Sequence, residues 1–217
     1  MKKSSRSAEF PNKILCWNVN GVRALIKKGG FQEILNQKAD IVCLQETKAH
    51  PKQLDEEYRN PSGYKSYFDH SKVKKGYSGV VIYTKTEPEK MVDAIRIDHL
   101  DEKSVDPEGR YMQLDFPAFT LINCYFPNGG GAPERLEYKL RFYKALIKHV
   151  KKLLSAGREL IICGDFNVVH KEADAKRFKE NQGEIGFLPE EVACLDALVD
   201  AGMVDAFRHF YPDKKDA

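Results

Sequence analysis

The chain has 217 residues, of which 42% are hydrophobic and 31% charged, and its formal net charge is +3. This length and hydrophobic content suit one globular domain with its own core. No apolar run approaches the ~20 residues of a membrane-spanning helix, and the charged N-terminus lacks the apolar segment of a signal peptide. A charge this close to neutral leaves the partner open, since an enzyme acting on nucleic acid needs only a local basic face.

Short apolar runs and amphipathic segments follow one another along the chain. Six runs predict β-strands: KILCWN, DIVCLQE, SGVVIYTK, RYMQLDF, FTLINCYF and ELIICGDFN. Helices are predicted over residues 31–37, 133–156 and 189–201; in the second, apolar residues recur at steps of four and three. The pattern indicates an α/β fold with two packed sheets covered by helices. With no repeat or linker in the sequence, we expect a mobile tail over residues 1–12 and a single domain over 13–217.

The five cysteines show no CxxC spacing, which argues against a zinc site. Cys16, Cys43, Cys124 and Cys163 lie inside apolar runs, where buried, reduced thiols are expected. The cysteine usage therefore predicts an intracellular, reducing compartment, the cytoplasm or, in a eukaryote, the nucleus.

Polar side chains follow four of the predicted strands. They are Asn18, Glu46, Tyr125, and Asp165 with Asn167. Ligand sites in layered sheets form beyond the carboxyl ends of strands. Residues two apart in a strand share a face, so Asp165 and Asn167 point the same way if the extended geometry continues.

Carboxylates and amides at these strand ends are suited to a hard divalent cation, most simply Mg²⁺. Such an ion stabilises charge on a phosphoryl oxygen while a carboxylate activates the attacking water. Each residue also has an ordinary interpretation: a helix cap or turn for Asp165 and Asn18, a solvated strand end for Glu46, a core aromatic for Tyr125. The strand ends alone leave both interpretations open. P-loop, EF-hand and zinc-site spacings are absent from the sequence.

At these residues the chain resembles the exonuclease III family of abasic-site (AP) endonucleases, within the endonuclease/exonuclease/phosphatase superfamily. The similar stretches are CWNVNGVRALIKKGG, ADIVCLQETKA, KGYSGVVIYTK, EGRYMQLDF, CYFPNGG, ERLEYKLRFY, ICGDFNVVH and GFLPEEVACLDALVDAGMVDAFRHFYP. LQETK and GDFN occur across the superfamily, whereas NGVRALIKKGG and FLPEE are typical of its DNA-repair branch. The resemblance runs from about residue 13 to residue 212.

The resemblance implies a four-layer α-β-β-α sandwich of the DNase I-like type. It implies a Mg²⁺-dependent phosphodiesterase, with Mn²⁺ as a substitute, that cleaves DNA 5′ to abasic sites and acts on 3′ ends as an exonuclease. Asn18 and Glu46 would belong to the metal site. Asp165 would activate the water, Asn167 would support the water and metal network, and Tyr125 would face the scissile phosphate.

The resemblance also implies contacts to the backbone of double-stranded DNA, bound by a monomer. The matching positions are Arg23, Lys28, Tyr77, Asn128 and Asn181. Binding dominated by phosphate contacts suits residues of these types. Without the resemblance, an ordinary solvated lysine is the preferred interpretation of Lys28.

The sequence also departs from the family pattern. Members continue past RHFYP with a tryptophan-containing strand, a WRxDY segment and a terminal SDHCP motif, whose Asp and His contact the metal and the scissile phosphate. Here the sequence reads YPDKKDA, and Trp17 is its one tryptophan. We therefore expect a domain without its C-terminal strands and impaired activity of this chain by itself. Two alternatives stay open: a lipid or inositol phosphatase of the same superfamily, and a non-catalytic remnant that binds DNA.

Overall fold

The computed structural model describes residues 10–95 and 106–214, which fall into two compact units. The first unit contains residues 10–95, 106–125 and 158–165, and the second contains residues 126–157 and 166–214. Residues 1–9 of the predicted tail lie outside the described residues. The prediction of a single domain stays a prediction.

Two four-stranded mixed sheets make up most of the first unit. The strands are β1 (Ile14–Asn18), β2 (Ile41–Gln45), β3 (Lys65–Asp69), β4 (Val80–Thr84), β5 (Lys90–Val92), β6 (Tyr111–Asp115), β7 (Thr120–Tyr125) and β8 (Leu160–Asp165). One sheet has the order β1-β2-β4-β3 and the other the order β5-β6-β7-β8. The β1–β2 and β7–β8 pairs are parallel and the remaining pairs are antiparallel.

The helices divide between the two units. The first unit contains α1 (Val22–Lys27), α2 (Gly30–Asn36), α3 (Glu56–Arg59) and a 3₁₀ turn at Pro51–Gln53. The second unit contains α4 (Pro133–Ser155), α5 (Pro189–Asp200), α6 (Ala206–Phe210) and 3₁₀ turns at Glu172–Asp174 and Lys179–Asn181. A proline begins both α4 and α5, where its missing N–H costs nothing. No helix within the described ranges is long and apolar enough to cross a membrane.

Strands β2 and β4 are buried on both faces, which explains their continuous apolar sequences. On one face, Cys43 and Ile82 pack with Met112 and Leu121 of the other sheet. On the opposite face, the first sheet packs against apolar side chains of α1 and α2. These side chains are Val22, Leu25, Phe31 and Ile34. The first unit therefore has one core between its sheets and another beneath its helices.

A polar cross-link lies inside the core between the two sheets. The buried Gln45 side chain donates from Nε2 to Oδ1 of Asn123, at 2.7 Å. Asn123 Nδ2 donates in turn to the carbonyl oxygens of Leu44 and Val81, at 3.2 and 3.1 Å. Both amides thus find the partners that buried polar groups require.

All six predicted strands and all three predicted helices are present, with small shifts at their ends. The sequence did not predict the strands β3 and β5 or the helices α1, α3 and α6, which are three to six residues long and carry polar or exposed side chains. The five cysteines are free, as expected, but Cys16 is exposed. The prediction of a buried Cys16 is wrong because β1 is the edge strand of its sheet.

Candidate active site

Four of the predicted site residues meet at strand ends in the first unit. Asn18 ends β1, Glu46 follows β2, Tyr125 ends β7 and Asp165 ends β8. Asn18 donates from Nδ2 to Oδ2 of Asp165, at 2.7 Å. The side chains of Asn18 and Tyr125 also lie close enough to the Glu46 carboxylate to lower its pKa. The Asn18 amide thus bonds Asp165 and lies beside Glu46.

Two local features bring these side chains together. In the parallel β7–β8 pair, Tyr125 lies opposite Asp165. Gly164, with φ of 146°, lets the strands approach, since a Cβ atom there would lie 1.8 Å from the carbonyl oxygen of Cys124. Glu46 has a left-handed backbone, with φ of 55°, at the point where the chain leaves β2. The close strand pairing and this turn determine which side chains meet.

Glu46 carries a stabilised negative charge. Burial opposes ionisation of its carboxyl, but the Lys48 ammonium and the nearby polar groups of Asn18 and Tyr125 outweigh burial and lower the pKa. The Lys48 ammonium lies 2.8 Å from Oε1 of Glu46 and also donates to Oδ1 of Asn20, at 2.5 Å. A cation therefore already occupies one side of this carboxylate.

Tyr125 is held in its protonated form. Burial and the neighbouring Glu46 carboxylate raise the pKa of its phenol to about 12. At neutral pH the hydroxyl is therefore a hydrogen-bond donor. Such a donor suits an oxygen that carries, or develops, negative charge.

Arg110, which was not predicted as a site residue, contacts both the ring and the backbone of Tyr125. Its buried guanidinium lies 4.6 Å from the Tyr125 ring centroid, and Nη1 donates to the Tyr125 carbonyl oxygen at 3.0 Å. Nη2 donates to the hydroxyl of Tyr77 at 2.9 Å, and Nε donates to Oε2 of Glu108 at 2.7 Å. The sequence does contain a signal for this role, because an arginine directly before a buried apolar strand is rarely buried unless it has partners.

Asn167 belongs to the second unit and does not continue strand β8. Its φ of 52° is left-handed, so the alternation of strand side chains ends at Asp165, and the extended geometry considered for Asn167 is wrong. Asn167 Nδ2 donates to the carbonyl oxygen of Phe126, at 2.8 Å. Its own carbonyl accepts a hydrogen bond from Lys139 Nζ, at 2.7 Å. Asn167 is thus fixed on both sides within the second unit.

The predicted DNA contacts lie in both units. In the first, Arg23 and Lys28 are exposed, and Tyr77 is half-buried with its hydroxyl on Arg110. In the second, Asn128 accepts from the N–H of Gly130 and Asn181 donates to the carbonyl of Arg177. Their roles toward DNA stay predictions.

The donor set of the first unit fits a hard divalent ion that keeps several water ligands. Glu46 supplies a carboxylate with a lowered pKa, Asp165 supplies a second carboxyl group that accepts from Asn18, and the Lys48 ammonium already pairs with Glu46. Within residues 10–95 and 106–214, no three His, Cys, Asp or Glu side chains form a closed metal cage. Mg²⁺ uses one or two protein carboxylates together with water and phosphate oxygens. Asn18 Oδ1 accepts from the N–H of Asn20, so Asn18 here orients the carboxylates through Nδ2.

Comparison with known proteins gives a consistent result. The model of the Endonuclease/Exonuclease/phosphatase family matches residues 15–213. The chain is 37% identical to an exodeoxyribonuclease of Bacillus subtilis, over 94% of this chain and 78% of that protein. It is 38% identical to the DNA repair nuclease APEX1 of Danio rerio, over 98% of this chain and 66% of that protein. An AP endonuclease structure from Archaeoglobus fulgidus superposes with a TM-score of 0.81 at 25% identity, covering 94% of this chain and 76% of that one. This superposition confirms the predicted α/β fold class.

Proposed function

Because the chain belongs to the endonuclease/exonuclease/phosphatase family, we propose that it is a divalent-metal-dependent phosphodiesterase of DNA repair. Its substrate is double-stranded DNA, which it cleaves 5′ to abasic sites to leave a 3′-hydroxyl, and it also acts on 3′ ends. The relatives confirm the predicted family and the predicted enzyme class, a hydrolase of the exodeoxyribonuclease and AP endonuclease type.

One observation carries the proposal: Asn18 bonds the carboxylate of Asp165 and lies beside that of Glu46, next to the hydroxyl of Tyr125, which keeps its proton at neutral pH. Phosphodiester hydrolysis needs a base for water, a counter-charge for the phosphate, and a donor to its oxygens. Asp165 offers the base and Tyr125 the donor, and the two carboxylates would hold the divalent ion that supplies the counter-charge.

Each side chain of the cluster has a distinct role in the proposed reaction. Asp165 orients the attacking water and accepts its proton. Tyr125 donates its hydroxyl hydrogen to a non-bridging oxygen of the scissile phosphate. Asn18 keeps the two carboxylates at a fixed separation. Mg²⁺, or Mn²⁺ in its place, would be held by Glu46 with Asp165 nearby, and would supply positive charge to the phosphoryl oxygens.

The test is cleavage of an end-labelled duplex that contains one abasic-site analogue, in Mg²⁺ and in excess EDTA. We expect a Mg²⁺-dependent nick 5′ to the analogue. The D165N variant should lose about 10²–10⁴ in rate, the range for a general base. D200N, which changes an exposed aspartate at the end of α5, should retain the wild-type rate.

The other outcomes discriminate between the alternatives. Tight duplex binding without cleavage, even at high protein concentration, would favour the non-catalytic DNA-binding protein. Turnover of an inositol phosphate without nicking would favour the lipid or inositol phosphatase. The expected impairment of this chain by itself stays a prediction, and the absolute nicking rate measures it.

A further inference from the structure

Helix α4 places two hydrogen-bond donors, Lys139 and Tyr143, one turn apart on the same face. Both side chains are fully buried. The Tyr143 hydroxyl donates to the carbonyl oxygen of Phe166, at 2.6 Å. The Lys139 ammonium donates to the next carbonyl along the chain, that of Asn167, at 2.7 Å. Two side chains of one helix therefore hold two consecutive carbonyls of the segment that follows strand β8 in the sequence.

The backbone at Asn167 depends on such support because it is left-handed. Its φ of 52° is a conformation that residues other than glycine adopt at a cost, and it persists where neighbouring groups hold it. The carbonyls of Phe166 and Asn167 belong to the two peptide planes that meet at the Asn167 Cα atom. Fixing both planes fixes the two backbone angles of Asn167, and these angles determine the direction of its Cα–Cβ bond.

The side chain of Asn167 is fixed by the same packing. Its Nδ2 donates to the carbonyl oxygen of Phe126, at 2.8 Å. The Phe126 ring stacks on the rings of Tyr143 and Phe166, with centroids 4.3 and 4.6 Å apart. The residue that accepts from the Asn167 amide therefore packs on the tyrosine whose hydroxyl holds the backbone. Because a carboxamide is planar, the bond at Nδ2 also determines the direction of Oδ1.

A buried ion pair keeps the Lys139 ammonium beside the Asn167 carbonyl. The fully buried Glu191 carboxylate accepts from Lys139 and also from the N–H of Gly186, at 2.6 Å. The Gly186 carbonyl in turn accepts from the N–H of Val169, at 2.9 Å. The ion pair thus closes a ring of hydrogen bonds that runs from α4 through α5 and returns to the chain two residues after Asn167.

We propose that Tyr143 and Lys139 are positioning residues, which aim the side-chain amide of Asn167 for the reaction. The inference rests on the proposed function for that reaction, in which Asn167 supports the attacking water and the metal ion. Tyr143 and Lys139 are buried and act through the backbone of Asn167. Loss of either donor releases the turn and slows the chemical step, because a misplacement of 1 Å can cost about 10² in rate.

Tyr143 gives the sharper test because Y143F deletes one oxygen atom and retains the stacked ring. K139M, by contrast, also leaves a buried carboxylate without its counter-charge. The matched control is Y83F in the first unit. The Tyr83 side chain is 1% exposed, and its hydroxyl donates to the Tyr58 carbonyl oxygen at 2.9 Å. Each variant loses one hydrogen bond from a buried tyrosine, so a general loss of stability affects both alike.

The first measurement is the single-turnover nicking rate on an abasic-analogue duplex, for Y143F, N167A and the double variant. Y143F should lower the rate about tenfold with duplex affinity in EDTA unchanged, and Y83F should nick at the wild-type rate. In the N167A background Y143F should cause no further loss, because no side-chain amide is left to aim. An unchanged rate in Y143F, or the same loss in both backgrounds, would overturn the proposal.

The second measurement does not depend on activity. The Nδ2 hydrogens of Asn167 give a pair of peaks in the ¹H–¹⁵N NMR spectrum, which N167A identifies by their absence. In Y143F this pair should shift and exchange with water about fivefold faster, as expected after loss of one hydrogen bond that holds the turn. In Y83F the pair should stay in place. An unshifted pair with the wild-type exchange rate in Y143F would also overturn the proposal.

Together the two measurements separate this proposal from the proposed function. Mg²⁺-dependent nicking by the wild type, with neither the rate nor the peaks changed in Y143F, would retain the nuclease and remove the positioning role. Shifted Asn167 peaks in Y143F, without nicking by the wild type, would retain the control of Asn167 by Tyr143 and remove the nuclease.

Discussion

Replacing Lys139 by methionine should destabilise the second unit by about 3–5 kcal/mol, the cost of leaving one charge of a buried pair without its partner. Lys139 of α4 and Glu191 of α5 are both fully buried, with Nζ 2.5 Å from Oε1. Methionine preserves most of the apolar stem, so the substitution mainly removes the charge and the hydrogen bonds.

The hydrogen bonds of Lys139 and Glu191 indicate which of the two contributes more to stability. After K139M, the Glu191 carboxylate still accepts from the N–H groups of Gly186 and Leu188, at 2.6 and 3.1 Å. After E191M, these two N–H groups lose that acceptor, and the Lys139 ammonium keeps its hydrogen bond to the Asn167 carbonyl oxygen but loses its counter-charge. E191M should therefore be the more destabilising change. The double variant should lose less stability than the sum of the two single variants.

The assay is urea unfolding followed by far-UV circular dichroism, which reports mainly on the long helices α4 and α5. Fluorescence of Trp17, in β1, reports on the first unit in the same samples. The matched control is R141M, because the Arg141–Glu137 pair of α4 is exposed and should contribute at most about 0.5 kcal/mol. A K139M variant within about 1 kcal/mol of wild type, or one less stable than E191M, would refute the reasoning.

Three further predictions concern the first unit. Burial raises the pKa of Asp69 from its ordinary 3.8 to about 6. Because the folded protein therefore binds this proton more tightly than the unfolded chain does, the free energy of unfolding falls as the pH rises from 3.8 to about 6. Between about pH 4 and pH 7 the wild type should lose about 3 kcal/mol of unfolding free energy through Asp69, measured by urea titration, and D69N should not lose it. The same pH dependence in wild type and D69N would contradict this prediction. Y125F should lower the nicking rate about 10²-fold with duplex affinity retained; an unchanged rate would remove Tyr125 from the reaction. G164A should lower the free energy of unfolding by at least about 2 kcal/mol, because the new Cβ atom meets the Cys124 carbonyl. G157A, whose Cβ atom would meet open space, should lower it by about 1 kcal/mol in the same thermal denaturation. Equal losses in the two variants would refute the close approach at Gly164.

The sequence predicted those helices and strands whose positions are determined by residues within or next to the element itself. The long helix α4 was predicted because proline begins it, apolar residues recur along it, and Gly157 follows it with φ of 73°. Strands β2 and β4 were predicted because burial on both faces requires apolar residues throughout. The polar ends of β1, β2, β7 and β8 were recognised in the sequence as a candidate site, and the parallel β1–β2 and β7–β8 pairs bring the carboxyl ends within each pair to the same edge.

Features that depend on distant partners were not predicted. Lys139 lies in an amphipathic helix, and its burial depends on Glu191, 52 residues later, whose carboxylate accepts a hydrogen bond from the Lys139 ammonium. Arg110 similarly depends on Tyr77, Glu108 and Tyr125. The left-handed turn at Asn167 has no signal in the run ICGDFNVVH, because asparagine is accepted in both strand ends and turns.

The amide pair of Gln45 and Asn123 has a consequence for the separation of the candidate catalytic groups. Apolar side chains tolerate small sliding of one sheet over another, whereas a 2.7 Å hydrogen bond between two amides does not. Glu46 follows Gln45 directly, and Tyr125 follows Asn123 by two residues. The spacing of the Glu46 carboxylate and the Tyr125 phenol is therefore set by two buried amides, which carry no charge for salt to screen or pH to change.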